Sequence, residues 1–525
     1  MTERRSLETG QAAETGRSRS YLFALLIFLP FLFLAIVYLR TSFQLILARN
    51  DVTYPEGACV YAFLTALHTG KLYSPPFDFP FNVQIYGPVF YLVGLGFAKA
   101  AHGDPTMTTA LFRLLSFLSL LGSAGLIGFL SWKLEGKRRW AAASVVLSLA
   151  CAWAPEFSAS ARPDLLSIFL MLSALTVYQL AQGRSRLILW VGVLGSLSCL
   201  TKQSTAPILF ALLIDTLIAR RFRNSAALIA GATPIPALVF LTLWLRHDPF
   251  LANLSGLQHA FYSWQLLGPT VLNIVRCDQM AIVPLLVALL GVGLSWRKEK
   301  YRTVLLALGI GSISNLAALA NTGGNTNYLI LPWLLMAVMA PAGLAGIEAW
   351  ARRSVILPLG LTALGGLLLI HNANVLLPKL PPNLDTYNVD KLKMLSALPY
   401  LELRSREPQL LDPYLYHQFS LQNVWSMAPI VQRIDEEEYD LIVISGSDGP
   451  ADSEFRVSYR GTSGWGADTL GPMMSHYRVL CEVPSFLALV PRNRPGAVRE
   501  KDIARIFGQP CLATVRTPQL APGVR

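Results

Sequence analysis

Two acidic side chains follow the first long apolar segment of the chain, residues 21–45. These are Asp51 and Glu56. A carboxylate at such a position can act as a general base that takes a proton from a hydroxyl; burial raises its pKa and a nearby cation lowers it. The alternative is structural: Asp51 or Thr53 caps a helix that begins near Pro55, with Glu56 in its first turn, where the helix dipole favours a carboxylate. Both interpretations stay open here, with Asp51 slightly favoured as the base.

A second group of side chains has the chemistry to bind an anion or a sugar. Most lie near the ends of apolar stretches, where ionisable groups are costly and are functional candidates by default. Consecutive glycines at 323–324 can also expose backbone N–H groups to an anion. The candidate substrate-binding residues are Tyr54, Tyr86, Arg162, Asp164, Lys202, Arg246, His247, Arg276, Asn325, Asn327 and Tyr328.

Simpler explanations exist for several of these residues. Pro163 and Asp164 suit the first turn of a helix, so that Arg162 pairs either with Asp164 or with a substrate phosphate. Lys202 can extend its ammonium group to the membrane interface without binding a ligand. The glycine-rich stretch before Tyr328 more commonly forms a plain turn.

The composition excludes a large water-soluble protein. Of the 525 residues, 53% are hydrophobic and only 14% are charged, and the mean hydropathy is +0.44. The net charge of +12 does not indicate a nucleic-acid partner, because the basic residues form short clusters between apolar stretches, as in a multi-span membrane protein. The six cysteines show no CxxC spacing and the acidic and histidine residues no ligand spacing, so neither a metal nor another cofactor is indicated.

Apolar stretches of about 17–25 residues predict about eleven membrane spans. The larger basic clusters between them fall on one side, which the positive-inside rule assigns to the cytoplasm together with the N-terminus. Residues 84–101 would break this alternation as a span, so we assign them to an external juxtamembrane or re-entrant helix. The predicted spans are 21–45, 107–131, 140–155, 165–182, 187–200, 203–219, 225–244, 279–296, 303–320, 327–350 and 354–372.

The predicted architecture is therefore a mainly α-helical, polytopic transmembrane bundle followed by a small α/β domain, in the inner or plasma membrane. Arg113 lies near the external end of its span and is expected to extend towards the interface. Cys481 and Cys511 can form a disulfide if their compartment is oxidising. The predicted units are a cytoplasmic basic tail at 1–20, the bundle at 21–375 with external loops at 46–106 and 245–278, and an extracytoplasmic C-terminal domain at 376–525.

In their order along the chain, these motifs resemble those of the GT-C membrane glycosyltransferases. Within that superfamily the chain is similar to the branch of protein O-mannosyltransferases and aminoarabinose transferases, in its bacterial dolichyl-phosphate-mannose-mannosyltransferase-like members. Each motif is weak alone, and the specificity lies in their order. The matching stretches are Tyr54-Pro-Glu-Gly57, Gly70-Lys-Leu-Tyr73, Tyr86-Gly-Pro88, Arg113-Leu-Leu-Ser116, Arg162-Pro-Asp164, Leu200-Thr-Lys202 and Gly324-Asn-Thr-Asn-Tyr328.

The resemblance implies a polyprenyl-phosphate-linked sugar donor, an active site outside the cytoplasm and inversion at the anomeric carbon. The acceptor would be a hydroxyl of a lipid, a glycan or a protein. The family often carries an Asp-Glu pair at a fixed distance before the glycine matched by Gly70. In this chain Pro55 and Glu56 occupy that pair. Glu56 therefore keeps the expected position, whereas Asp51 supplies the missing residue type slightly earlier.

The residues also fit such a hexosyl or pentosyl transfer on their own chemistry. In a single displacement the acceptor hydroxyl needs a base, and the departing phosphate needs positive charge, which Arg162, Lys202, Arg246 and Arg276 can supply. The alternatives are a lipid-carrier polymerase or ligase, a membrane transporter or flippase, and a non-catalytic scaffold. A polymerase would have a longer late external loop, and a transporter would show mid-span charges and inverted repeats.

Overall fold

The structure is a computed structural model. The predicted basic tail at 1–20, together with Tyr54 and Asn325, lies outside the residues that it describes. These are residues 28–53, 56–181, 183–256, 264–277, 279–320, 326–351, 356–371, 384, 389–409, 411–445, 465–483, 486–494, 496 and 498–511.

Most of the described chain is helical, which confirms the mainly α-helical class. Among the described residues, five helical stretches are long and apolar enough to cross a membrane: Phe28–Ile46, Pro105–Glu135, Asp164–Ala181, Phe222–Leu245 (interrupted at Thr233) and Asn327–Trp350. Shorter apolar helices lie at Pro88–Ala100, Ser185–Thr201, Gln203–Ile218, Gln279–Ser295 and Leu359–Leu368. The chain is thus an integral membrane protein with several spans, and the number of about eleven stays a prediction.

The helical part contains seventeen labelled α-helices in chain order among the described residues. They are α1 (Phe28–Ile46), α2 (Glu56–Thr69), α3 (Pro88–Ala100), α4 (Pro105–Glu135), α5 (Arg138–Leu149), α6 (Ala154–Ser158), α7 (Asp164–Ala181), α8 (Ser185–Thr201), α9 (Ala206–Ile218), α10 (Phe222–Ala232), α11 (Pro234–Leu245), α12 (Phe250–Gly256), α13 (Trp264–Cys277), α14 (Ile282–Ser295), α15 (Arg302–Ala318), α16 (Asn327–Ala351) and α17 (Ile356–His371).

The bounds of α4 and α5 follow from local residues. Asp104 caps α4 by accepting the backbone N–H of Met107 at 2.6 Å, and Gly136 ends the helix in the left-handed conformation at φ 71°. The span predicted at 140–155 is not one helix, since α5 ends at Leu149 and α6 begins at Ala154. Pro155 suits the first turn of a new helix better than a helix interior. The broken helix leaves an irregular segment at 159–163 that contributes to the candidate site.

The helix predicted within 84–101 is present as α3, whose 13 residues are fewer than the roughly 20 that cross a bilayer. Its external position stays a prediction. Its first turn packs against the end of α8, where Gly87 donates its N–H to the carbonyl of Thr201 at 3.3 Å. A Cβ atom on Gly87 would collide with the carbonyl of Leu200, so that only glycine permits this approach. The start of α3 therefore lies beside Lys202.

The C-terminal part contains a four-stranded sheet of order β1-β2-β4-β3 in the described residues. β1 pairs with β2 in parallel and the other neighbours pair antiparallel, with Leu395 opposite Ile442 and Val443 opposite Ala488. Cys481 and Cys511 form the predicted disulfide. The elements are β1 (Met394–Ser396), α18 (Pro399–Glu402), α19 (Pro413–Leu421), α20 (Ala428–Asp435), β2 (Leu441–Ser445), α21 (Ala467–His476), β3 (Tyr477–Val483), β4 (Phe486–Pro491) and α22 (Glu500–Phe507).

This sheet region packs on the first loop of the chain. Arg404 pairs with Asp104 at 2.8 Å, and the N–H of Leu384 donates to the carbonyl of Arg49 at 2.8 Å. Phe81 of the loop is buried in an apolar cluster with side chains of the sheet region. The loop that carries Asp51 and Glu56 is therefore enclosed between the helices and the sheet.

Candidate active site

Glu56 forms a completely buried ion pair with Arg113 of α4. Its Oε1 accepts from Arg113 Nε at 2.8 Å and from the N–H of Ala161 at 2.6 Å. Its Oε2 accepts from Arg113 Nη2 at 2.6 Å and from the N–H of Val52 at 2.9 Å. A carboxylate offers about four lone-pair sites, so these contacts leave Glu56 no site for a substrate proton.

Arg113 does not extend towards the membrane interface as expected from the sequence. Besides Glu56 it donates to the carbonyls of Leu45, Ala48 and Asn50, at 3.0, 2.5 and 2.6 Å. All five N–H groups of the guanidinium are thus used, because an unpaired cation inside this packed region would be very costly. Arg113 holds the end of α1 and the start of the first loop in place, a role that we did not derive from the sequence.

Asp51 lies where two helices begin. Its Oδ1 accepts the N–H of Gly57 in the first turn of α2, and its Oδ2 accepts the N–H of Tyr400 in α18, each at 2.7 Å. The capping alternative is therefore observed for Asp51. A Cβ atom on Gly57 would collide with the backbone of Tyr400, so glycine is needed where the two helix starts meet.

The carboxyl group of Asp51 is nevertheless suited to take up a proton. It is partly exposed, and two of its four lone-pair sites are occupied by the two backbone N–H groups. Burial of the carboxylate, and then the charge of Glu56, raise its pKa to about 7, against the opposing effect of the backbone hydrogen bonds and Arg113. The base role of Asp51 remains a prediction, and the geometry favours it over Glu56.

A second buried group is centred on Asp164, the first residue of α7. Its Oδ2 accepts from Arg162 Nε at 3.0 Å, and its Oδ1 accepts from Lys202 Nζ at 2.5 Å and from Asn327 Nδ2 at 2.6 Å. Arg162, Lys202 and Asn327 are 7, 6 and 6% exposed. Two cations against one carboxylate give this group a formal charge of +1, which suits an anionic ligand. We call these four residues the Asp164 cluster.

The helix order explains the Asp164 cluster. α7 and α8 are consecutive packed helices, so the start of α7 and the end of α8 meet at the same end of the bundle. Lys202 follows α8 directly, and Asn327 is the first residue of α16. The sequence therefore brings one cation, one carboxylate and one amide together by alternation of helix direction alone.

Aromatic rings line the two cations. The ring of Tyr86 lies 5.9 Å and that of Phe157 5.4 Å from the Arg162 guanidinium carbon, and the Tyr328 ring lies 4.8 Å from Lys202 Nζ. Burial raises the pKa of Tyr86, which therefore stays neutral near pH 7. The rings limit water around the cations and leave them attractive to an anion.

Glu56 connects the two groups through backbone hydrogen bonds. It accepts from Val52, the neighbour of Asp51, and from Ala161, the neighbour of Arg162. Ser116 of α4 supports the same segment by donating to the carbonyl of Ser160 at 2.8 Å. The candidate base and the cationic group are therefore fixed relative to one another by one buried carboxylate.

The remaining predicted residues lie apart from these contacts. Arg246 follows α11 and donates to the carbonyl of Gly70 at 2.7 Å. His247 is the next residue, at φ 49°, and Arg276 is exposed on α13. Substrate binding by these three side chains stays a prediction. Over the described ranges, no group of three or more His, Cys, Asp and Glu residues could hold a metal ion.

The fold is shared with solved structures, among them the following two. ArnT from Cupriavidus metallidurans bound to undecaprenyl phosphate is 12% identical, with a TM-score of 0.51, and the match covers 89% of this chain and 98% of that one. The Archaeoglobus fulgidus oligosaccharyltransferase tethered with an acceptor peptide is 12% identical, with a TM-score of 0.50, and the match covers 88% of this chain and 74% of that one. No family model and no curated protein matches the chain. The fold implied by the sequence motifs is confirmed by these similarities.

Proposed function

We propose that this chain is an integral membrane glycosyltransferase. It transfers a hexosyl or pentosyl group from a polyprenyl-phosphate donor to a hydroxyl of a lipid, glycan or protein, with inversion at the anomeric carbon. The observation that carries the proposal is the Asp164 cluster, a buried group of net charge +1. It occurs in the fold of a protein solved with undecaprenyl phosphate bound.

The cations of the Asp164 cluster bind the phosphate of the donor. Asp164 holds Arg162 and Lys202 by one oxygen each, so both cations are oriented before the ligand arrives. Preorganised charge in a site with little water stabilises a developing phosphate anion strongly. Further donor or acceptor contacts from Tyr54, Arg246, His247, Arg276, Asn325 and Tyr328 are part of the proposal.

Asp51 is the general base of the reaction. Its pKa of about 7 makes it a stronger base than an ordinary aspartate and leaves a useful fraction ionised at neutral pH. Glu56 is a positioning residue instead, since Arg113 and two backbone N–H groups occupy its oxygens.

The transfer is a single displacement. The acceptor oxygen forms a bond to the anomeric carbon while the bond between that carbon and the phosphate oxygen breaks. Asp51 takes the hydroxyl proton, and the electron pair of the broken bond leaves with the lipid phosphate. Arg162 and Lys202 stabilise that charge, so no general acid is required.

The site faces the extracytoplasmic side in this proposal. About eleven spans, a cytoplasmic N-terminus and an external C-terminal α/β domain follow from the positions of the basic clusters. The Cys481–Cys511 disulfide supports an oxidising compartment for the C-terminal part.

The proposal is tested by transfer of a labelled sugar in purified, reconstituted chain, with a panel of polyprenyl-phosphate sugars and neutral acceptors. Lys202→Gln should reduce transfer by on the order of 100-fold, because one of two phosphate-binding charges is lost. Lys99→Gln, an exposed lysine at the end of α3, is the matched control and should be neutral. Transfer from no donor in the wild type, or equal activity in both variants, would refute the proposal.

A further inference from the structure

The opposite end of the α7–α8 helix pair carries an open groove that the proposed glycosyl transfer does not use. The groove has a volume of about 520 Å³, and Gly183, Ser185, Arg220, Arg221, Arg223 and Asn224 line it together with Phe222. α8 separates it from Lys202 by 17 residues. At 1.5 Å per residue this is about 25 Å, close to the thickness of a bilayer core.

The three arginines of this groove are exposed, and their guanidinium groups are not paired with a carboxylate in the described part of the chain. Among the described residues none of Arg220, Arg221 and Arg223 forms an ion pair. The nearby carboxylate of Asp215 is occupied by Arg302 Nε at 2.6 Å, and by the hydroxyls of Tyr178 and Thr303 at 2.7 and 3.0 Å. Three positive charges around one groove therefore lack an anion.

The backbone of the groove is held in place. Ser185 donates to Asn224 Oδ1 at 3.0 Å and joins the two walls, and the N–H of Arg221 donates to the carbonyl of Thr216 at 2.9 Å. Thr216 and Ser225 share a hydroxyl hydrogen bond at 2.7 Å. Arg220 has a φ of 55°, a left-handed conformation in which glycine would be less strained. Arg220 therefore places a charged side chain at a position where the backbone alone favours glycine.

Apolar side chains border the arginines. Leu217, Ile218 and Phe222 are 45, 55 and 67% exposed. Leu217 and Ile218 end α9 and Phe222 begins α10, so they stand next to the arginines in the chain. A ligand in this groove would therefore have its polar end beside the positive charges and any apolar part beside these three side chains.

We infer that this groove binds the phosphate headgroup of an anionic phospholipid. Guanidinium groups suit phosphate because their planar N–H groups can donate two parallel hydrogen bonds. Clusters of arginine at the membrane surface attract anionic lipids. The adjoining Leu217, Ile218 and Phe222 favour a lipid over free inorganic phosphate, since only a lipid places acyl chains against them.

The test is native mass spectrometry of the full chain from nanodiscs that contain equal parts of phosphatidylglycerol and phosphatidylcholine. The wild type should retain phosphatidylglycerol selectively. The triple variant Arg220→Gln, Arg221→Gln, Arg223→Gln should lose this preference by on the order of 100-fold, because the charge-assisted hydrogen bonds of three guanidinium groups around one phosphate are removed. The matched control is Lys133→Gln, Lys137→Gln, Arg138→Gln, which removes three exposed charges elsewhere and should keep the preference.

A second variant separates binding from folding. Arg220→Gly removes one arginine and relieves the left-handed backbone, so it should weaken phosphatidylglycerol retention about fivefold at unchanged or higher thermal stability. An equal loss in the Lys133, Lys137 and Arg138 control would show general surface attraction and overturn the site. Binding of inorganic phosphate without selective lipid retention would overturn the lipid assignment. Neither outcome depends on transferase activity.

Discussion

Arg113 of α4 and Glu56 of α2 form a buried ion pair at 2.6 Å in which both side chains are fully excluded from solvent. Arg113 fastens the carbonyls at the end of α1, and Glu56 fastens the backbone beside Asp51 and beside Arg162. The pair therefore sets the position of both halves of the candidate site. Burying an ion pair carries a large desolvation cost. In this chain the pair holds the backbone on both sides of the candidate site in place.

Arg113→Met should destabilise the protein strongly, because the carboxylate of Glu56 is left buried without its cation. The free energy of unfolding should fall by about 3–5 kcal/mol, measured by denaturant titration in detergent. The control is Arg404→Gln, which removes a partly exposed partner of Asp104 and should cost less than about 1 kcal/mol. Equal losses in the two variants would contradict the positioning role.

Asp51 should give the reaction a pH dependence with a midpoint at about 7. A base acts in its deprotonated form, so kcat/KM of transfer should be low at pH 5.5 and rise through pH 7 to a plateau. Asp51→Asn should lower kcat/KM by on the order of 100-fold and remove the inflection. The pH profile is needed because the asparagine also leaves one of the two backbone N–H groups, of Gly57 or Tyr400, without its acceptor. That loss alone would change stability, but it would not remove a pH midpoint from the transfer rate.

The same carboxyl group affects stability in the opposite sense. Its pKa is raised from 3.8 to about 7 in the folded chain, so the folded state binds the proton more tightly than the unfolded state. Its stabilising contribution is fully present below pH 3.8 and is lost as the pH rises towards 7. Thermal unfolding of the wild type minus that of Asp51→Asn should show this slope, and a flat difference would contradict the raised pKa.

The Asp164 cluster could be predicted from the sequence because it depends on helix order. Once α7 and α8 are recognised as consecutive antiparallel spans, Asp164 and Lys202 must lie at one end of the bundle, and Asn327 joins them by the same alternation. Local sequence signals also predicted that α2 begins near Pro55 and that Asp51 can cap it. These features rest on spacing, which a single sequence contains.

The ion pair of Glu56 with Arg113 could not be derived in the same way. The two residues are 57 positions apart, and a single buried charge near a span end fits both an interface position and a salt bridge. The contact of Asp51 with Tyr400 uses a backbone N–H donor. Every residue except proline offers such a donor, so the side-chain types in the sequence do not indicate this contact. The helix break before α6 was hidden because its residues are apolar throughout.

Asp164→Asn should separate phosphate binding from catalysis. The substitution leaves both cations in place and raises the net charge of the cluster, but replaces one of the two carboxylate oxygens that orient Arg162 and Lys202 by an NH2 donor. Competition by undecaprenyl phosphate should therefore be as strong as in the wild type or stronger, while kcat falls by on the order of 100-fold, since unoriented charge stabilises the leaving group poorly.

Lys202→Gln provides the opposite variant in that comparison. It removes a cation and should weaken competition by undecaprenyl phosphate together with kcat. If Asp164→Asn weakened the competition as much as Lys202→Gln, Asp164 would contact the ligand or hold the fold instead of orienting the two cations. Thermal stability of both variants in detergent distinguishes these two results.

The orientation of the chain should be visible in the labelling of two engineered cysteines. His68 is exposed at the end of α2, and Lys137 is exposed in the basic turn between α4 and α5. The positive-inside rule places the basic turn in the cytoplasm and the first external loop at 46–106, which contains α2, outside. A membrane-impermeant maleimide should therefore label His68→Cys in intact cells and Lys137→Cys only after permeabilisation.

The unsubstituted chain, in which Cys59 and Cys151 are buried, gives the background. Labelling of Lys137→Cys alone in intact cells would invert the topology, and with it the side on which Asp51 and Lys202 meet their substrates.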